Sequence, residues 1–180
     1  MAQITLEQLL QAQTGDERAL AGIISRMMPQ VRFGAISLPA EGMDYEDLVQ
    51  EGLIGLMHAV SSYSPQKGAR FETYGASCIQ NAQITALRAA QRKKHGPLNS
   101  SIPLSEEQTI PGPEELAIQQ EQMELWQARF RSQLSDRERQ VLSLFLEGGS
   151  YQEIAGSLGC TSKAVENALA RARRKLRSFL

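Results

Sequence analysis

Apolar residues recur at three- and four-residue intervals along most of the chain, and no stretch alternates apolar with polar as a half-buried strand would. The pattern predicts an all-α protein. One amphipathic helix is expected over 16–37, with Pro29 offering a break. A second has Asp44 as its cap and runs to about Val60. A turn follows at 63–68, and a long helix covers 71–94, ending at Gly96 and Pro97. The next stretch is rich in Pro, Ser and Gly and poor in large apolar residues, which marks a linker. The helical period resumes at Pro113, where a proline followed by Glu114 and Glu115 makes a helix start. Ser135 and Glu138 have capping-box spacing, Gly148 and Gly149 close that helix, and Ser150 with Glu153 repeats the box. The expectation is two helical domains, 1–95 and 113–180, joined by a flexible linker over 96–112, with four helices in the second.

The last pair of helices carries the most specific pattern. In SYQEIAGSLGCTSKAVENALARARRKL, residues 150–176, Ile154, Ala155 and Leu158 share one face of a first helix. Gly159 permits a turn that a side chain would crowd. Val165, Leu169, Ala172 and Leu176 form the apolar stripe of a second helix, and Ala155 is small where crossing helices must approach closely. Lys163, Asn167, Arg171 and Arg174 lie opposite that stripe. A helix can then face a DNA groove with donors while its back locks the motif, as in a helix-turn-helix. The alternative is an ordinary helical hairpin with a solvated basic face. The small residue, the turn glycine and the two registered stripes favour the DNA-binding motif.

The net charge of −1 conceals segregation. Glu41, Asp44, Glu46, Asp47 and Glu51 cluster without a basic residue. Arg88, Arg92, Lys93 and Lys94 cluster without an acid. From Thr161 onward six cations, Lys163, Arg171, Arg173, Arg174, Lys175 and Arg177, stand against Glu166, a local sum of 6 − 1 = +5. Two separated basic patches predict two contacts with a polyanion, and the acidic cluster predicts a protein partner. No apolar run has the length of a membrane span and no secretory signal is visible, so a cytoplasmic protein without membrane contact is expected. Cys78 and Cys160 have no metal-like spacing; both sit in apolar helical patterns, as buried free thiols do.

On an ideal helix Val49, Leu53, Leu56 and Val60 share one arc, and Asp47, Gln50, Glu51 and His58 the opposite one. Ile54 falls inside the polar arc, with Gly55 leaving room beside it. A lone exposed isoleucine needs no explanation, but an apolar spot ringed by polar groups is also the layout of a small interface centre. In the long helix that follows, Phe71 reads as a core residue, while Tyr74 is open between core packing and stacking on a nucleic-acid base.

Three runs in this order resemble the sigma-70 family of bacterial RNA polymerase sigma factors. DLVQEGLIGLM at 47–57 is similar to the family's polymerase-docking helix, KGARFETY at 67–74 to its promoter-melting segment, and LSDRERQVL at 134–142 onward to its −35-binding domain. The short linker resembles alternative sigma factors, and HGPLNS at 95–100 the sporulation sigma-H type. The resemblance implies docking of Asp47, Gln50, Glu51, Leu53, Ile54 and Met57 on core RNA polymerase, at the clamp coiled coil of the largest subunit, with a further contact at the flap region. It implies −10 recognition and melting by Arg70, Thr73, Tyr74, Asn81, Ile84, Arg88, Arg92 and Lys93, with Tyr74 taking the place of a flipped base. It assigns the −35 element to Thr161, Ser162, Lys163, Glu166, Asn167, Arg171 and Arg174, the two arginines serving phosphates.

The implied partners are core polymerase and promoter DNA, duplex and single-stranded; an anti-sigma factor is a further partner common in the family. No cofactor, metal or catalytic residue is implied. The chain departs from primary members at Ser77 and Cys78, where they carry tryptophans, and at Gln80, where they carry an arginine. Fewer aromatic wedges imply weaker spontaneous melting. The competing readings are a stand-alone regulator with a LuxR-like C-terminal domain, a nucleic-acid enzyme, and a decoy that docks on polymerase without initiating. The chain has neither the parallel-strand receiver pattern of the first nor the Gly-rich loop or acidic metal set of the second.

Overall fold

The computed structural model of the protein describes residues 3–38, 42–95 and 132–177. Among these residues are seven α-helices, one 3-10 turn and no strand. The expected linker and the helix start at Pro113 lie outside the described residues.

The first three helices each begin where a side chain can satisfy free N–H groups. Thr5 accepts from Gln8 N–H at the start of α1 (Leu6–Gln13). Asp16 accepts from Arg18 and Ala19 N–H at the start of α2 (Glu17–Ser37), which continues through Pro29 without a break. Asp44 accepts from Asp47 N–H at the start of α3 (Tyr45–Ser62). The 3-10 turn Pro65–Lys67 closes on Gly68 at φ +76°, a conformation that suits glycine, and leads into α4 (Phe71–His95). Helix α1 was not expected from periodicity; at eight residues it is too short for a repeat to stand out.

Ile23, Met27 and Val31 of α2, Leu56 and Val60 of α3, and Phe71 and Ile79 of α4 form the first core, with Leu9 of α1 covering one end. Burial of each large side chain contributes about 1.5–3 kcal/mol, so this cluster sets how α3 and α4 lie against each other.

Among the described residues of the second domain are α5 (Asp136–Glu147), α6 (Tyr151–Ser157) and α7 (Ser162–Arg177). Both expected capping boxes are present, Ser135 with Glu138 and Ser150 with Glu153. Val141, Leu142, Ile154, Ala155, Val165, Leu169, Ala172 and Leu176 make its core, and Ile36 of α2 is buried in the same cluster. The two domains therefore pack together. Arg32 donates to the carbonyl of Leu146 (3.1 Å), the rings of Tyr45 and Phe145 stand 5.6 Å apart, and the Arg173 guanidinium lies 5.8 Å from the Tyr45 ring centre. Burial raises the Tyr45 hydroxyl's pKa against the opposing pull of Arg32 and Arg173. Among the described residues no helix is long and apolar enough to cross a membrane.

Candidate functional site

Three surfaces collect the residues singled out in the sequence. The first is the outer face of α3. Asp47 and Gln50 are exposed, Glu51 and Leu53 half-buried. Ile54 is 58% and Met57 43% exposed, so two large apolar side chains sit in water beside an acidic rim. Leu48, Leu56, Ala59 and Val60 fill the inner face. Gly55 does not leave room beside Ile54, as the helical wheel had it. It is buried where α3 crosses α4, and a Cβ there would stand 2.6 Å from the Cys78 carbonyl oxygen and 2.8 Å from Ala82 Cβ. Its role is close approach of the two backbones.

The second surface is α4 with the turn before it. Arg70 is exposed, 3.9 Å from Glu72, and Thr73 is half-buried. Asn81, Arg88 and Arg92 are exposed along the helix and Ile84 is half-buried beside them. The side chain of Lys93 lies outside the described residues. Phe71 is a core residue, as expected. Tyr74, left open by the sequence, is only 4% exposed. Its ring packs 5.9 Å from that of Tyr63, and its hydroxyl is 2.9 Å from Ser62 Oγ. Burial raises its pKa, with the Ser62 hydrogen bond pulling the other way. In this conformation Tyr74 is part of the core beside the turn before α4, and it offers no free ring face.

The third surface is the helix-turn-helix. Gly159 adopts φ +59°, and Cys160 N–H closes the turn on the Ala155 carbonyl at 2.9 Å. Cys160 therefore sits in the turn, half-buried, and not in a helix as expected, because the left-handed glycine before it ends α6. Cys78 is buried, and both thiols are free. Thr161 accepts from Ala164 N–H at the start of α7. Thr161, Ser162, Lys163, Glu166, Asn167, Arg171 and Arg174 are all exposed on one side of that helix. Lys163 and Glu166 pair at 2.8 Å.

The local sum of +5 overstates what faces outward. Lys175 donates to Glu138 Oε2 at 2.7 Å and Arg171 Nε to Glu138 Oε1 at 3.3 Å, while Arg173 turns toward Tyr45. Burial pushes the Glu138 carboxyl up, but Lys175 and the Ser135 N–H outweigh it and hold its pKa below the ordinary carboxylate value. The capping box made Glu138 visible in the sequence. Its cationic partners, more than thirty residues away, were not.

A four-helix body with an apolar and acidic outer face on α3 and basic side chains along α4, together with a helix-turn-helix, define a promoter-recognition protein. The chain belongs to the sigma-70 family. The family model for Sigma-70 region 2 matches residues 23–93, and that for Sigma-70, region 4 matches residues 132–176. The chain is similar to the RNA polymerase sigma-H factor of Bacillus licheniformis, at 37% identity covering 99% of this chain and 87% of the relative. The RNA polymerase sigma-H factor of Bacillus subtilis (strain 168) is also 37% identical, covering 99% and 89%. Among solved structures, the RNA polymerase sigma-H factor from Fusobacterium nucleatum is 30% identical over 74% of this chain and 92% of that one, with a TM-score of 0.34. The chain is an alternative sigma factor serving transcription initiation.

Proposed function

We propose that α3 docks on the clamp coiled coil of core RNA polymerase through Gln50, Glu51, Leu53, Ile54 and Met57, that α4 engages the −10 element, and that α7 reads the −35 element. The observation that carries this reading is the direct packing of α3 on α4, with Gly55 at the crossing. It fixes an exposed apolar and acidic patch and a row of exposed polar and basic side chains on one body, so polymerase held by one presents the other.

Arg70, Thr73, Asn81 and Ile84 make the first contacts near the −10 bases, and Arg88 and Arg92 contact phosphates, which position without specifying. Base capture at Tyr74 requires the turn before α4 to open its ring. Lys163, Glu166 and Asn167 face −35 base edges. The chain supplies binding and polymerase the chemistry, in the cytoplasm. Sites about 25 base pairs apart, at about 3.4 Å each, lie roughly 85 Å apart, whereas packed helices are about 10 Å apart. Promoter binding therefore parts the Arg32–Leu146 and Tyr45–Phe145 contacts. An anti-sigma factor would act by covering either outward face.

The deciding experiment is run-off transcription by core polymerase and this chain on a genomic fragment library. Discrete start sites that need the chain are expected. Docking on core without any transcript would overturn the reading and leave a decoy.

A further inference from the structure

Gln83 of α4 is completely buried, yet only part of its amide is satisfied. Its Nε2 donates to the carbonyl of Val31 on α2 and to that of Leu48 on α3, both at 3.0 Å. Its Oε1 is buried without a hydrogen-bond partner. The amide sits between two glycines. A Cβ on Gly52 would stand 2.6 Å from Nε2, and one on Gly34 would overlap Oε1. One side chain thus ties three helices together inside a largely apolar body, at a cost in unsatisfied polarity that a leucine of similar size would not bear.

We propose that Gln83 is a positioning residue for promoter opening, an inference that rests on the docking and −10 roles given to α3 and α4 above. Near Gln83 the two helices meet through small residues: Gly55 lies against Cys78 and Ala82, and Gly52 against the Gln83 amide. The large side chains of the core, Leu56, Val60, Phe71 and Ile79, set how α3 and α4 lie against each other, but the small residues at the crossing allow close approach without a directional contact of their own. A hydrogen bond is directional, and a buried polar contact can select one register at a cost in stability. On α3 the bond lands at Leu48, beside Asp47 and one turn before Gln50 and Glu51. On α4 it originates between Asn81 and Ile84. It therefore joins the polymerase-facing and DNA-facing surfaces where their specific residues begin, and a load taken up by α3 reaches α4 without slack.

The test is Gln83→Leu, with Gln83→Met as a second, more flexible replacement, each in the full chain with core polymerase. Thermal stability is expected to be equal to or above that of the unaltered protein, core affinity to stay within about twofold, and the rate of open-complex formation to fall about tenfold. A template already unpaired across the −10 element is expected to restore transcription, which a general loss of folding would not allow. Unchanged opening in a stable variant would overturn the proposal. So would failure of both variants to fold, which would make the amide a support of the fold and not of the register. Failure of the unaltered protein to start transcription would instead overturn the underlying reading of α3 and α4.

Discussion

Replacing Glu138 with glutamine tests whether α7 is held by a buried charge or by its apolar stripe alone. The Glu138 side chain is 4% exposed, against 35% for Lys175 and 50% for Arg171. It accepts from Lys175 Nζ at 2.7 Å, from Ser135 N–H at 2.9 Å and from Arg171 Nε at 3.3 Å. Glutamine keeps the shape and an acceptor but loses the charge. A hydrogen bond to a charged group contributes about 1.5–3 kcal/mol and a neutral one about 0.5–1.5, so the two short bonds lose roughly 1 kcal/mol each. The half-exposed Arg171 pair adds a few tenths, and easier burial of the neutral amide returns a similar amount. The net expectation is about 2 kcal/mol of destabilisation. It is measured by urea unfolding of the full chain followed by helical circular dichroism at neutral pH. A double-mutant cycle with Lys175→Met should give a coupling of about 1–2 kcal/mol, since the two residues touch. Duplex-DNA affinity should not fall in parallel, because one negative charge has left the vicinity of α7. A loss under about 0.5 kcal/mol, within the range of ordinary surface changes, or no coupling to Lys175, would refute the reasoning.

The same group sets a pH dependence. Its folded pKa is depressed, so its contribution is present above the ordinary carboxylate value and is lost as pH falls through the lower folded one; acid unfolding profiles should be shallower for Glu138→Gln than for the unaltered chain. Tyr74→Ala should cost about 3–5 kcal/mol, as for a buried aromatic, and confound any opening assay, whereas Tyr74→Phe keeps the ring and removes only the hydroxyl's contacts with Ser62 and Cys78, and should cost about 1 kcal/mol; equal melting temperatures for Tyr74→Ala and the unaltered protein would show that the ring is not in the core. Lys163→Ala should change the preferred −35 sequence in a binding selection, while Arg174→Ala should weaken binding across sequences and reduce the salt slope by about one; a sequence-dependent loss for Arg174→Ala would reverse that assignment.

Helix placement was legible because it rests on local signals. Asp44, Ser135 and Ser150 each cap the helix expected of them, and Gly68, Gly148 and Gly159 all take positive φ. Val165, Leu169, Ala172 and Leu176 are buried as their spacing required. Tertiary choices were less legible. The sequence shows that Gly55 follows Ile54, but not that α4 presses on it. Counting charges gives +5 for the last segment, but not that Lys175 and Arg173 are turned inward. Both depend on contacts between residues far apart in sequence, where no spacing rule applies.

Gln83 and Tyr74 show the two directions in which residue type misleads. A glutamine on a helix is exposed by default, and a tyrosine beside a basic helix is a ready stacking platform. Here the glutamine is fully buried and the tyrosine nearly so. The glutamine is accommodated because Gly34 and Gly52 leave the volume and two helical carbonyls accept its amide protons. The tyrosine is accommodated because Ser62 meets its hydroxyl and Tyr63 its ring. In each case the neighbours that decide the outcome lie on another element, and each polar tip is held at the junction between α3 and α4 or the turn that joins them. On the proposed roles of α3 and α4, that junction, more than any single exposed side chain, would couple the face offered to polymerase to the face offered to the promoter.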